Sequence, residues 1–444
     1  MAIGISNFET LYQTYYPDSQ LPYLLPKNLP LLNMVLGGST DGQVSGDVID
    51  MPWLAGPATG VSQTFATAQA MAGNAPQSLR PQVRLSQLFK VISILDKDQI
   101  QSQGSASYGE LMEVTVRGAR MDILNKLDYL LHANGTGNRA SFTFASATPT
   151  VLSLNSTPTG LTGDTFGIAL GAPVAETLFE INDQVVITST NRADGTAPTI
   201  VAGPVTVTAV TSLINPVGGQ SQSITVSASL AGSLTNSSVY GIALAGDTLG
   251  FSTALLNPSI IGLDAFNPYG GPQSGESFLG VNRTVFPTRY AGNWINGSNL
   301  NIEQALKRSA TMMANSGVEP GGLVALMNPL DFDSLEAKLQ SSARYMATEL
   351  GVFFFDAIAL NTAMGKVSVV CDPHVQQGFV RFVAPGALQL MYRNGLPHVA
   401  TLTGGVNEQW GANYDGREQR LRSYAQMRCV DPRRLGIVKL PSVV

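Results

Sequence analysis

Charge is scarce in this 444-residue chain. Only 13% of its residues are Asp, Glu, Lys or Arg, where about 25% is usual in a soluble domain. Ser, Thr, Asn, Gln and Gly carry the surface instead, and a surface of that kind favours association. The balance is mildly acidic, net -5. No basic stripe exists to neutralise phosphates, which excludes tight nucleic-acid binding and leaves loose contact over a large surface open. Cysteine is almost missing. Cys371 and Cys429 are expected reduced and buried in a cytoplasmic product. No apolar run approaches the ~18 residues needed to cross a bilayer, so no membrane partner is expected. The first residues, MAIGISNFETLYQTYYPD, have no basic region followed by an apolar one, so no secretory signal is expected. Without secretion, triplets such as Asn155-Ser156-Thr157 are chance matches to a glycosylation site.

Enzyme signatures are missing too. Gly135-Thr136-Gly137-Asn138-Arg139-Ala140 matches a dinucleotide-binding pattern by letters, but it follows a helical pattern and does not join a strand to a helix. Gly365-Lys366 lacks the upstream glycine and following hydroxyl of a phosphate loop. Gly219-Gln220-Ser221-Gln222-Ser223 lacks the closing glycine of a nucleophile elbow. The three histidines, His132, His374 and His398, lie far apart in sequence, so no metal site and no cofactor is expected. His132 is read as a favourable charge near a helix C-terminus. The one basic cluster, from Arg417 to Arg434, is interleaved with Glu418 and Asp431, which suits ion pairs between subunits or a solvated face better than DNA.

Between Leu54 and Leu79 there is no charged residue at all. Strand-like segments flank this run, Val48 to Trp53 before it and Val83 to Leu95 after it. Together they read as a hairpin with a long neutral excursion at its tip. A two-stranded hairpin is marginal alone, and nothing nearby offers an apolar floor. Either the floor belongs to a second copy of the chain, or the tip is a loose Ala/Gly/Ser loop on a monomer. A helix follows. Ser107 to Glu110 has capping-box spacing, and Val116, Ala119, Ile123, Leu127 and Leu130 recur at helical intervals. Asn134-Gly135 supplies the stop. Some 27 residues at ~1.5 Å each predict a rod of roughly 40 Å. Arg117, Arg120, Asp122, Lys126 and Asp128 are assigned to its polar face.

From Ala140 to Thr253 there is no lysine, and Thr, Ser, Val, Gly and Ala dominate. Alternating runs at Gln184 to Thr190, Val205 to Val210 and Ser223 to Ala228 predict a small β-barrel or sandwich, inserted into an α+β chain as an independent unit. Beyond it, Asn301 caps a helix with Ile302, Ala305, Leu306, Ser309 and Met313 on one face. A buried-type strand is predicted at Gly322 to Met327, and a helix from Asn328-Pro329. Further strands are predicted at 367–370, 379–383, 388–392 and 436–440.

This order of parts resembles the major capsid proteins of tailed bacteriophages, which have the Hong Kong 97-type capsid fold. Gly46 to Pro52 looks like the strand entering that family's extended loop (the E-loop), and Phe89 to Leu95 like the strand leaving it. Leu111 to Leu131 is similar to its spine helix. Leu326-Met327-Asn328-Pro329 and Gly365 to Pro373 resemble parts of its axial (A) domain, and Leu421 to Leu440 looks like the closing strands of its peripheral (P) domain. The resemblance implies an N-terminal arm at 1–47, an E-loop at 48–100 and the spine helix with P-domain at 101–139. It further implies an inserted β domain at 140–253, more P-domain at 254–300, an A-domain at 301–415 and closing strands at 416–444.

It also implies a structural protein, not an enzyme, that forms pentamers and hexamers in an icosahedral shell around double-stranded DNA. Portal and scaffolding proteins, and a decoration protein, would be its partners. Assembly would take place in the cytoplasm of a host bacterium. Contacts with neighbouring subunits are expected at Trp53, Phe65, Met71, Arg80 and Arg84, with Phe65 and Met71 as apolar anchors. Some family members join an E-loop lysine covalently to a neighbour's asparagine. This chain has no lysine between Lys27 and Lys90, so that donor is missing. The alternatives are an encapsulin-like compartment and an enzyme with a β-domain insertion.

Overall fold

The computed structural model describes residues 29–37, 48–56, 61–71, 77–95, 111–135, 137–144, 150–154, 179–189, 200–211, 223–230, 234–235, 239–245, 259–272, 277–319, 321–339, 358–399, 408–410 and 415–441. The capping box expected at Ser107 to Glu110 lies outside these residues. The spine helix runs over Leu111–His132. Its last turns are the apolar ones, with Leu127, Tyr129, Leu130 and Leu131 all buried. The arm contains a helix at Pro30–Gly37. Proline suits the first helical position because its missing N–H would have no partner there. Leu31, Leu32 and Val35 bury this short helix against the core.

The hairpin forms in two steps. Val48–Asp50 pairs antiparallel with Gln82–Arg84, and further out Trp53–Gly56 pairs with Gln77–Leu79. The returning chain continues as Ser86–Leu95, which pairs along its length with the closing strand Gly416–Cys429. On its other side the closing strand pairs with Leu388–Val399 and Glu408–Trp410. This corrects the expectation that the hairpin has no floor of its own. Ile49, Met51, Trp53, Val83, Leu85 and Leu88 are buried in the chain's main apolar core. The floor is supplied by sequence hundreds of residues downstream, which local reading cannot see.

The described residues of 138–244 form six strands. In spatial order they are Asn138–Thr143, Val239–Leu244, Gln184–Ser189, Ile200–Thr211, Ser223–Val226 and Val151–Ser153, all antiparallel. The two outer strands meet at a bridge between Phe142 and Leu154, so the sheet closes into a barrel. Alternate residues point inward, and Val185, Ile187, Val207, Ile224 and Ile242 are wholly buried. The chain leaves the spine helix and returns to it at one place. A Cβ on Gly262 would lie 2.6 Å from the carbonyl oxygen of Leu130 and nearer still to those of Leu131 and Ala133, so only glycine fits there. The barrel is not sealed off, as an independent unit would be. Its interior and the layer beneath the spine helix form one continuous cluster of buried residues.

A second core lies in a mixed six-stranded sheet. Its spatial order is Asn293–Asn296, Leu435–Lys439, Phe379–Val383, Val324–Met327, Gly365–Cys371 and Ile358–Thr362. Val324–Met327 and Phe379–Val383 are buried at every position, as expected for strands covered on both faces. The helix Ile302–Asn315 packs on this sheet through Ile302, Ala305, Leu306, Ala310 and Met313, and Asn301 with Gln304 forms a capping box at its start. The boundaries expected at residues 300 and 415 cut across the pairing. Asn293–Asn296 and Leu435–Lys439 belong to this sheet, whereas Leu388–Val399 belongs to the sheet of the closing strand.

Candidate functional site

The hairpin's outer end is the most exposed apolar feature among the described residues. Val61 is 98% exposed, Phe65 82% and Met71 45%. The short helix Phe65–Met71 buries none of its residues. It is held locally: the Thr64 carbonyl accepts from the N–H of Ala68 (3.0 Å), and the Thr64 and Thr67 hydroxyls are 2.7 Å apart. Arg80 and Arg84 are exposed beside the hairpin's base. Trp53 does not fit the expected role of an intersubunit contact. It is buried, its indole N–H donates to the carbonyl of Cys429 (3.0 Å), and its ring stacks on Tyr290.

Part of the arginine cluster is paired within the chain. Arg433 forms a two-pronged bond to Asp431 at 3.0 and 2.8 Å, and Arg420 reaches Glu418 at 3.3 Å. A cleft of about 510 Å³ beside the hairpin's base is lined by Trp53, Arg289, Tyr290, Asp431, Arg433 and Arg434, among others. Its lining places no nucleophile beside a base.

Sequence reading missed a buried polar junction at the end of the spine helix. Asp128 and His132, one turn apart, face one side of the helix. Asp372 and His374 stand on the turn that follows strand Gly365–Cys371. His132 Nε2 lies 3.0 Å from Asp372, and His374 Nδ1 lies 2.7 Å from Asp128. The backbone N–H of His374 donates to Asp372 (2.9 Å), and that of Leu32, in the arm helix, donates to Asp128 (2.8 Å). Two histidines read as distant in sequence thus meet in one cluster, and Asp128, assigned to a polar face, is fully buried. The missed signal was the pairing of Asp-x-x-x-His on the helix with Asp-x-His on the turn.

Burial alone would lower the pKa of His374. The hydrogen bond and charge of Asp128 and the charge of Asp372 outweigh it, and the net shift is upward. Burial would likewise raise Asp372, but His132 and then His374 bring it below the ordinary carboxylate value. Donor atoms of Asp128, His132 and Asp372 lie within 4.8 Å of one another. All four oxygens of the two aspartates already accept hydrogen bonds, so charge pairing accounts for the cluster without a metal. Neighbouring Cys371 is not an activated nucleophile. Burial, then the charges of Asp372 and Glu336, push its thiol up to about 11.

No family model matches the sequence, and no curated protein does. Solved structures do match. One is a chain of the cyanophage A-1(L) capsid asymmetric unit, at 9% identity, with 99% of each chain covered and a TM-score of 0.55. An encapsulin complex from Synechococcus elongatus matches at 7% identity, over 99% of this chain and 95% of that one, with a TM-score of 0.45. The capsid of an empty GTA particle matches at 8% identity, over 95% of this chain and 100% of that one, with a TM-score of 0.44. The end-to-end superposition on the cyanophage chain agrees with the arm, hairpin, spine helix and two sheets described above, and this protein has the Hong Kong 97-type capsid fold.

Proposed function

We propose that this chain is a capsid shell subunit, the major capsid protein of a tailed bacteriophage, which assembles with copies of itself into an icosahedral shell enclosing double-stranded DNA. One observation carries the reading. The hairpin is anchored in its own subunit at the base and presents Val61, Phe65 and Met71, uncovered, at the tip. Exposed apolar side chains on a structured arm mark a surface made for contact. Obligate assemblies bury several thousand Å² between copies, so many modest contacts outweigh any single one. The scarcity of charge suits such an assembly. The role is structural. Both carboxylates of the Asp/His junction are engaged in hydrogen bonds within it, and the cleft beside the hairpin lacks a catalytic set. Pentamers and hexamers, a separate scaffold, a portal and a decoration protein belong to this reading as partners still to be found.

Size-exclusion chromatography and electron microscopy of the purified chain test it. Shells, tubes or capsomers are expected. Deleting residues 57 to 78 should leave a folded subunit and abolish them. A small monodisperse particle from the intact chain, or normal shells from the deletion, would overturn the proposal. Packaged protein cargo in place of DNA would turn it toward a compartment of the encapsulin type.

A further inference from the structure

The buried Asp/His junction sits where three separate parts of the chain meet. Asp128 and His132 belong to the spine helix, and Leu32 belongs to the arm helix. Asp372 and His374 belong to a turn fixed to the second sheet, for the N–H of Asp372 donates to the carbonyl of Met327 (2.8 Å) and the side-chain amide of Asn328 donates to the carbonyl of Val375 (2.9 Å). The partners are 96, 240 and 246 residues apart in sequence. The junction thus ties the spine helix and the arm helix to the second sheet through buried polar contacts.

The groups that face it can be named. His374 meets Asp128 through Nδ1 and has the ring of Tyr129 edge-on at 6.3 Å. Asp372 lies against both His132 and the backbone of His374. Arg139, on the first barrel strand, is near enough for its charge to act on His374, and its guanidinium lies over the Tyr129 ring. Two buried carboxylates thus depend on nearby imidazoles and one guanidinium for compensation. Removing a proton from His374 takes one positive charge from a buried site, and an uncompensated buried carboxylate is costly.

We propose that this junction is a protonation-controlled joint, in which protonated His374 clamps the arm and spine helices to the turn of the second sheet and deprotonated His374 releases them. The sign follows from linkage. A histidine stabilised in its charged form gives its full contribution below its unfolded-state pKa and loses it as pH rises through the folded value. The upward shift at His374 places the loss above the pH at which a free imidazole titrates. The joint is therefore tight below the free-imidazole midpoint and loosens as pH rises through the higher midpoint of His374.

The test uses the full chain and its three histidines, His132, His374 and His398. Deuterium exchange at the imidazole C2 carbon, read by mass spectrometry across pH, gives the titration midpoint of each. Amide exchange in peptides covering 29–37 and 123–135, corrected for its intrinsic pH dependence, reports the clamp. The expected result is a His374 midpoint above that of a free imidazole, with amide protection falling about tenfold through that same midpoint. In His374→Gln, protection should already be low and no longer follow pH. A His374 midpoint at or below the free value, or protection that ignores its titration, would overturn the proposal. If the variant does not fold, the wild-type titration and protection curves decide the matter by themselves.

Discussion

The two ends of the hairpin are built from similar residues and meet opposite fates. At the base, Ile49, Met51, Trp53 and Val83 are all buried, and the Trp53 indole is hydrogen-bonded to the closing strand. At the tip, Val61 and Phe65 stand almost wholly in solvent, and the helix Phe65–Met71 buries nothing. Hydrophobicity does not separate the two. What separates them is cover: the base packs against the closing strand at residues 416–429, and no residue of the tip helix is buried. The base therefore stabilises one chain, while the tip's apolar surface has value only against another.

Trp53→Ala strikes the base hardest. It removes a buried aromatic and a buried hydrogen bond, and should lower subunit stability by about 3–5 kcal/mol in denaturant unfolding. A change below about 1 kcal/mol would mean that the base is no better anchored than the tip. Gln426→Ala should follow at about 2–3 kcal/mol, because backbone groups then lose their partner inside the core. Gln426 is fully buried. Its oxygen accepts from the N–H of Ile261 (2.8 Å), and its amide donates to the carbonyl of Arg84 (2.9 Å), at the hairpin's root.

How much of this contrast could be read from sequence differs along the chain. The helix at 302–315 was legible because capping and periodicity are local. So were three barrel strands, at Gln184–Ser189, Ile200–Thr211 and Ser223–Val226, because alternation is local as well. The floor beneath the hairpin was not, since Trp53 and Cys429 are 376 residues apart. The Asp/His junction was missed for the same reason. Each histidine was weighed against its sequence neighbours, and the partner of each came from the other half of the chain. The sheet that crosses the expected domain boundaries follows this pattern, because nothing near Leu435–Lys439 says that its neighbours are 293–296 and 379–383.

A substitution that belongs to neither end sets the background for the comparison. Asp331 is buried at the start of the helix Pro329–Leu339, and burial raises its pKa to about 6 although the N–H of Gly378 donates to it. The charged form is penalised in the fold, so this cost appears as pH rises through about 6 and is absent in acid. Asp331→Asn should add about 2 kcal/mol near pH 8 and nothing near pH 4, measured by thermal unfolding. A gain that persists in acid would point to packing in place of charge.

Phe65→Ser should have the smallest effect on the subunit and so sharpens the contrast most. The side chain is 82% exposed, and substitutions at such positions usually change stability by less than about 0.5 kcal/mol. Denaturant midpoints of the wild type and the variant should therefore coincide, while the yield of assembled particles falls steeply. The two readouts separate the possible roles of the tip. An apolar group that binds a second copy affects assembly alone, because its burial exists only in the assembly. A group that folds back on its own chain would move the unfolding midpoint as well. Since the neutral run carries no charge to replace the lost contact, adding salt should not restore particles, as it does where like-charge repulsion is the obstacle. Full assembly of Phe65→Ser at wild-type concentration would show that Phe65 is not an anchor, and would move attention to Val61 and Met71 on the same arm.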